Sequence, residues 1–238
     1  MTAFATPRIE ASGDQLLIVE FGDAVDVATN RRACAFARRL EAAALAGVLD
    51  IVPSFTAVGV HYRATAVARQ PGEMPFAALR AAVDALLAAP LQGDDGQTRL
   101  VEIPVCYGGE FGPDLEEVAE ATGLAVDEVV RLHGETAGRV FMLGFAPGHP
   151  FIGLWDERLA VPRRQTPRTK VPAGSVAIAN RQGNVYPFDL PGGWNLIGRT
   201  PLAMFDARRD SPALLRAGDS VRFVPISRAE FDAMERAR

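Results

Sequence analysis

The stretch from Arg139 to Gly153 reads RVFMLGFAPGHPFIG, a short apolar run followed by a turn rich in glycine and proline. The same alternation continues along the chain, with the apolar runs SVAIA, AMFD and SVRFVPI and the turns PAGS, LPGGW and RAGDS. Short strands separated by such turns are typical of a β-barrel or a β-sandwich. The sequence from Arg139 onward therefore predicts one of these two architectures.

The segment just before this region contains one strand and two helices. RLVEIPVCY (99–107) has the composition of a strand, and GPDLEEVAEATG (112–123) that of a helix with Asp114 as its N-cap. Glu117 follows three residues later, which is the spacing of a capping box. AVDEVVRLHGET (125–136) predicts a second short helix. Together with the strands that follow, these elements predict one domain over residues 98–230.

Residues 1–92 predict a smaller domain of a different kind. LLIVEFG (16–22), VLDIVP (48–53) and AVGVHY (57–62) have the length and composition of strands. Helical spacing runs from Asp26 to a stop at Gly47, and a second helix runs over residues 75–89. The order ββαββα predicts a small sheet covered by two helices, so the fold class of the whole chain is α+β. The polar segment APLQGDDGQT (89–98) is the predicted linker.

Composition excludes several classes of protein. The 238 residues carry a formal net charge of −4 and have a pI near 5.5, which argues against a nucleic-acid-binding domain. No apolar stretch approaches the roughly 18 residues that a membrane span needs, and no signal peptide is recognisable. Two cysteines outside any CxxC pair predict reduced, buried thiols, and hence a cytoplasmic protein.

The familiar sequence signatures of catalysis are missing. The chain contains no phosphate-binding GxxxxGK[ST] loop, no dinucleotide-binding GxGxxG and no GxSxG nucleophile elbow. His61, His133 and His149 lie far apart and have no ligand-spaced partners, so we expect no metal site. Catalytic residues therefore stay unassigned.

One cluster of cations is unusual in an acidic chain. PRRQTPRTKVPAGSVAIA (162–179) holds four basic residues, and no acidic residue occurs between Glu157 and Asp189. Prolines stiffen this loop, and segments rich in glycine and aromatic residues flank it. The pattern predicts a site for a small anion or for the acidic surface of a partner. The alternative is a solvated loop whose charges are balanced by acids from other segments.

The predicted site has a cationic part and an apolar part. Arg168 is the first candidate for an anion donor, because Pro167 fixes the chain just before it. Phe145, Phe151 and Tyr186 are candidates for apolar walls, together with Trp194. The predicted substrate- or anion-binding residues are Arg163, Arg164, Arg168, Lys170, His149, Gly192, Gly193, Trp194 and Arg199.

Several of these segments resemble one protein family. VEIPVCYGGEFGPDLEEVA, FMLGFAPGHPFIGL, PRRQTPRTKVPAGSVAIA, VYPFDLPGGWNLIGRTPL and LLRAGDSVRFVPI are similar, in this order, to the family of the 5-oxoprolinase B component. The family is also called allophanate hydrolase subunit 1 and sporulation-kinase inhibitor. The resemblance implies a small N-terminal α+β domain and a cyclophilin-like C-terminal barrel. His149 stands where the family usually has a bulky aromatic residue.

The resemblance also implies a function. It implies the B component of a multi-component 5-oxoprolinase that opens 5-oxo-L-proline to L-glutamate with ATP. The partners would be a second carboxyltransferase-like protein (the C component) and a third protein (the A component), and ATP would be bound by, or shared with, a partner. The isolated chain would be inactive, and Lys170 lacks the methionine neighbours of a biotin-carrying lysine, so no biotin is expected.

Two alternatives come from the same resemblance. One is a non-catalytic inhibitor that docks on a sensor histidine kinase. The other is a carboxyltransferase-like subunit of a urea or allophanate system.

Overall fold

The structure is a computed structural model of the 238-residue chain that describes residues 3–91 and 98–237. It divides into two compact units, Met1–Thr98 and Arg99–Arg238. Most of the predicted linker falls on residues 92–97, outside the described residues. The predicted domain limits, 1–92 and 98–230, therefore stay a prediction.

The first unit is an antiparallel sheet with helices against it. Its elements are β1 (Ala3–Ala11), β2 (Leu16–Gly22), α1 (Val27–Ala43), β3 (Val48–Pro53), β4 (Ala57–Tyr62), a 3₁₀ turn (Ala64–Ala66) and α2 (Pro75–Ala88). The strands lie in the order β1-β2-β4-β3. Phe36 and Leu40 of α1 pack into the same buried cluster as Leu17 and Val60 of the sheet. The predicted order ββαββα is confirmed, and β1 is the strand for which no segment was named from the sequence.

Helix α1 ends earlier than predicted. Its N-cap is Asp26, whose carboxylate accepts a hydrogen bond from the Thr29 N–H at 2.8 Å. At the other end Ala44 takes a left-handed conformation (φ 45°), which stops the helix three residues before Gly47. Gly47 is instead needed for a close approach, since a Cβ there would lie 2.7 Å from the Val67 nitrogen.

The second unit consists mainly of short strands. Its elements are β5 (Leu100–Tyr107), α3 (Leu115–Thr122), α4 (Val126–Glu135), β6 (Gly138–Leu143), β7 (Pro150–Gly153), a 3₁₀ turn (Glu157–Leu159), β8 (Arg168–Val171), β9 (Ser175–Ala179), β10 (Gln182–Val185), β11 (Leu190–Gly192), β12 (Asn195–Arg199), β13 (Ser220–Pro225) and α5 (Arg228–Arg236).

Seven of these strands close into a barrel in the order β10-β7-β6-β13-β5-β12-β9, and β9 pairs with β10 to complete the ring. β5 and β13 are parallel, whereas the other barrel pairs are antiparallel. β8 and β11 form a separate two-stranded ribbon. The predicted α+β class with a C-terminal barrel is confirmed, and the alternative of a sandwich is excluded for this unit.

Strand β9 shows how the barrel wall is built. Successive strand side chains point to opposite faces. Val176 and Ile178 belong to the large core cluster, whereas Ala177 and Ala179 belong to a second cluster that contains Tyr186 and Trp194. SVAIA is buried on both faces for this reason. The second cluster lies on the outer face of the wall and also contains Val171 of β8.

One local prediction in the second unit is confirmed in position only, and another is wrong. Asp114 is the N-cap of α3, but its side chain makes no capping hydrogen bond, because two arginines and the Leu196 N–H take its oxygens. The run AMFD (203–206) forms only a single bridge, between Phe205 and Ala213, rather than a strand.

Both cysteines are buried, as expected. Across the part of the chain that the structure describes, no helix is both long and apolar enough to cross a membrane.

Candidate functional site

A cavity of about 400 Å³ opens on the outer face of the barrel wall, near the β8–β11 ribbon. This volume lies within the range of small-molecule sites, roughly 300–1,000 Å³. The cavity is lined by Phe145, His149, Phe151, Arg163, Arg164, Pro167, Asn184, Tyr186, Pro191, Gly192, Gly193 and Trp194. These residues come from β7, β10 and β11, from the turns next to them, and from residues 162–170, the basic loop that holds the four clustered cations.

The walls of the cavity are aromatic. Phe151 and Trp194 meet edge to face with their ring centroids 6.3 Å apart, and the His149 and Tyr186 rings are also perpendicular, at 5.3 Å. The His149 ring lies 5.2 Å from that of Phe151 as well. His149 thus lies within an aromatic cluster.

Polar atoms stand out inside these walls. Asn184 is fully buried, and neither its Oδ1 nor its Nδ2 has a hydrogen-bond partner among the described residues. The same holds for Nδ1 of His149, whose side chain is also buried. A buried polar group that makes no hydrogen bond costs about 1–3 kcal/mol. A ligand that reaches such atoms beside a cavity would remove this cost by supplying the missing hydrogen bonds.

Asn184 reaches the cavity because of its register in the barrel. It pairs with Ala177 across β9 and β10, and Ala177 lies on the outer face. Its neighbour Val185 pairs with Val176 and belongs to the core. The alternation of the strand thus places the amide on the cavity side.

Burial keeps the titratable rings of the site neutral. Desolvation lowers the pKa of His149 to about 4, so the imidazole is uncharged at pH 7. Desolvation also raises the pKa of Tyr186, against smaller opposing effects of Asn184, Arg163 and Arg168. The Asn184 amide is near enough to the Tyr186 hydroxyl to act on its pKa, but no hydrogen bond of normal geometry joins the two side chains. Of the described residues that line the cavity, only the arginines therefore carry positive charge.

The arginines of the basic loop differ in their partners. Arg163 is exposed, and its guanidinium lies 5.3 Å from the centre of the Trp194 ring, with no acidic partner among the described residues. Arg164 binds Asp114 and Glu117 through Nη1, at 2.9 and 2.8 Å. Arg163 is thus the loop arginine whose charge is not already paired.

Arg168 and Lys170 are also paired. Arg168 donates to both oxygens of Asp114, at 2.9 and 2.7 Å. Lys170 forms an exposed ion pair with Asp189 at 2.8 Å. The alternative interpretation of the loop therefore accounts for most of its charge, since acids from other segments balance Arg164, Arg168 and Lys170.

The cavity brings together two-thirds of the predicted site residues, namely His149, Arg163, Arg164, Gly192, Gly193 and Trp194. It does not include Arg168, Lys170 or Arg199. Arg199 donates to the Ala173 carbonyl at 2.9 Å and lies over the Phe111 ring. Phe145, Phe151 and Tyr186 form walls of the cavity, together with Trp194.

Asn184 was not among the predicted residues. Asn184 begins the segment NVYP (184–187), which has the composition of a strand end followed by a turn. An asparagine beside a turn normally indicates a turn residue. The signal that could have found it is its position two residues before Tyr186, on the same face of a strand.

Comparison with known proteins places the chain in a family. The model of the carboxyltransferase domain, subdomain C and D, matches residues 7–215. This chain belongs to the carboxyltransferase-domain C and D family. Among curated members it is similar to the B subunit of 5-oxoprolinase from Bacillus subtilis (strain 168), with 44% identity covering 95% of each chain.

Solved structures agree with the fold. The carboxyltransferase-domain chain superposes on the crystal structure of TTHA0988 with a TM-score of 0.78 and 38% identity, over 90% of this chain and 40% of that one. It thus spans about two-fifths of that protein. The Kluyveromyces lactis urea amidolyase has a TM-score of 0.74 at 18% identity, over 95% of this chain and 15% of that one, and shares the fold.

Proposed function

We propose that this chain is the B component of an ATP-dependent 5-oxoprolinase that cleaves 5-oxo-L-proline to L-glutamate. The observation that carries the proposal is the 44% identity, over 95% of both chains, to a protein named as the B subunit of 5-oxoprolinase. The reaction hydrolyses a cyclic amide, so the ring C–N bond breaks and water supplies the new carboxylate oxygen. In this proposal the cavity lined by Asn184 and His149 forms one wall of the substrate site.

The chain's own residues suit binding better than bond cleavage. Among the described residues no group of three or more His, Cys, Asp or Glu side chains is placed to hold a metal ion. Among the described residues that line it, the cavity offers neutral hydrogen-bonding atoms and one unpaired arginine, Arg163, but no carboxylate or thiol. We therefore assign the nucleophile and the general base to a partner, and we expect the isolated chain to be inactive.

The fit to ATP can be judged from the same residues. A triphosphate needs several free cations or a row of backbone N–H groups. Arg164 and Arg168 are engaged by Asp114, and Lys170 by Asp189, which leaves one unpaired arginine at the cavity. The residues present do not fit ATP, so we place the nucleotide on a partner protein and assign this chain no step with it.

The partners proposed are the second carboxyltransferase-like protein, the C component, and a third protein, the A component. The alternative as a subunit of a urea or allophanate system has only the fold in its favour, since the urea amidolyase is 18% identical. Docking on a histidine kinase rests on the family resemblance alone. Both stay predictions and are outcomes of the experiment below.

Co-expression tests the proposal. The chain is produced with candidate C and A components, the complex is isolated by size exclusion, and glutamate and ADP are measured with 5-oxoproline and ATP. We expect turnover that requires all three proteins and none from this chain alone. Turnover of urea or allophanate instead, or a pair of chains that elutes separately at micromolar concentration, would contradict the proposal.

A further inference from the structure

Asn184 lines the cavity and carries a primary amide. Its Oδ1 accepts hydrogen bonds and its Nδ2 donates them, side by side on one edge. Both atoms are buried, and neither has a partner among the described residues. Buried amides are normally satisfied within the protein, so this edge is matched to a group outside it that offers a donor next to an acceptor.

The surroundings limit that group to a small, flat one. Phe151 and Trp194 wall the cavity, and Gly192 lies against the Tyr186 hydroxyl, where a Cβ would come within 2.1 Å of the oxygen. His149 is held among Phe145, Phe151 and Tyr186, and its Nδ1 makes no hydrogen bond of normal geometry to the described residues. The polar atoms are thus fixed in place rather than mobile.

Arg163 supplies the unpaired positive charge at the cavity. Arg163 lines the cavity and has no acidic partner among the described residues, while its guanidinium lies over Trp194. A planar guanidinium is suited to bind a carboxylate through two hydrogen bonds. The cavity therefore combines a neutral amide edge with a separate guanidinium group.

We infer that this cavity recognises a cyclic secondary amide that carries a carboxylate, with the amide edge on Asn184 and the carboxylate on Arg163. In a small lactam ring the amide is held cis, so its N–H and C=O lie on the same edge and match the Asn184 Oδ1 and Nδ2. The inference rests on the proposed function and adds to it the residues that select the substrate.

The same geometry selects against related molecules. Proline has a charged amine and no carbonyl on its ring, so it cannot pair with Asn184. Glutamate, the ring-opened product, brings an ammonium group against neutral buried atoms and loses the cis edge. 2-Pyrrolidinone keeps the amide edge but lacks the carboxylate, so it separates the two halves of the site.

Binding measurements on the full chain, alone and with its partner proteins, test this inference. The probes are 5-oxo-L-proline, 2-pyrrolidinone and proline, measured by calorimetry and NMR. Asn184→Leu should weaken the binding of both lactams at least tenfold. Its thermal midpoint should not fall, since an apolar side chain replaces a buried amide without partners.

Arg163→Gln should weaken the binding of 5-oxoproline about tenfold and leave the binding of 2-pyrrolidinone unchanged. Arg208→Gln, an exposed control, should change neither.

The outcomes separate the inference from the proposed function. If the complex turns over 5-oxoproline but Asn184→Leu binds it as the wild type does, the inference is wrong and the function stands. If the complex has no 5-oxoprolinase activity but lactams still bind in an Asn184-dependent way, the function is wrong and the recognition stands. Absence of saturable lactam binding to both the chain and the complex overturns the inference.

Discussion

Arg168 and Asp114 form a two-pronged ion pair, with Nη1 donating to Oδ2 at 2.9 Å and Nη2 to Oδ1 at 2.7 Å. Arg164 shares the same carboxylate, and the Leu196 N–H donates to it at 2.7 Å. The Asp114 side chain is only 4% exposed. This one carboxylate therefore joins the basic loop to the start of α3 and to β12.

Asp114→Ala should lower the free energy of unfolding by about 3 kcal/mol, because two partly buried guanidinium groups and a backbone N–H lose their acceptor. Urea unfolding followed by circular dichroism measures the change. The control is Glu117→Ala, which also removes a partner of Arg164 but at an exposed position, and should cost less than about 1 kcal/mol. Equal losses of unfolding free energy in the two variants would mean that the buried carboxylate of Asp114 stabilises the fold no more than the exposed one of Glu117.

Substitution of Arg168 should lower stability, whereas substitution of Arg163 should lower activity. Arg168→Ala should cost about 2 kcal/mol of stability, since it breaks the pair with buried Asp114. Arg163→Ala should change stability by less than about 0.5 kcal/mol, because the side chain is exposed, yet lower kcat/KM of the assembled complex roughly tenfold to hundredfold. The opposite pattern, in which Arg168→Ala loses activity at unchanged stability, would restore Arg168 as the anion donor that the sequence suggested.

The barrel and the aromatic walls can be predicted from the sequence, whereas the ion pair of Arg168 cannot. The barrel could be predicted because each short strand lies next to the glycine or proline turn that ends it, and the aromatic walls because they occupy those turns. The partner of Arg168 could not, since Asp114 lies 54 residues away in the chain and reads locally as a helix cap. Asn184 was missed because its spacing from Tyr186 indicates only that the two side chains share a face, and the closed barrel is needed to show that this face lines a cavity.

Two adjacent glycines provide a test of cavity shape. A Cβ at Gly192 would lie 2.1 Å from the Tyr186 hydroxyl oxygen, whereas at Gly193 the nearest atom would be Cγ of Pro167 at 3.5 Å. Gly192→Ala should therefore cost about 1–3 kcal/mol of stability and weaken lactam binding, because the tyrosine or the ribbon must shift. Gly193→Ala should be close to wild type in both. Unfolding curves and calorimetry distinguish the pair, and similar behaviour of both variants would rule out a tight contact at Gly192.

Stability should fall on mild acidification because of two buried histidines. Burial lowers the pKa of His133 to about 3 and that of His149 to about 4, below the ordinary value of about 6.5. Below pH 6.5 the two histidines bind protons in the unfolded chain but stay neutral in the folded chain. The free energy of unfolding therefore decreases as the pH falls from 6.5 toward the pKa values of the folded chain. Each histidine should contribute a loss of about 2 kcal/mol at pH 5.

Urea unfolding at pH 7, 6 and 5 measures this dependence. His149→Gln should remove about half of the loss between pH 6.5 and pH 5, since glutamine does not titrate. A wild-type stability that stays constant between pH 7 and pH 5 would mean that neither histidine is held neutral by burial.

Phe145 combines an exposed ring with an unfavourable backbone. Its φ is +69°, a left-handed conformation that costs a non-glycine residue roughly 1–2 kcal/mol, and its side chain is 68% exposed at the cavity. The ring lies 5.4 Å from that of His149, edge to face. Strained residues of this kind are often found at functional sites.

Comparison of Phe145→Gly with Phe145→Ala separates the ring from the backbone. Both variants lose the ring, so both should weaken lactam binding by a similar factor if Phe145 covers the ligand. Only glycine relieves the left-handed strain, so Phe145→Gly should be about 1 kcal/mol more stable than Phe145→Ala, after allowance for the greater freedom of glycine in the unfolded chain. Thermal unfolding and calorimetry on the two proteins measure both quantities. Equal stability of the two variants would show that residue 145 does not keep this conformation in solution.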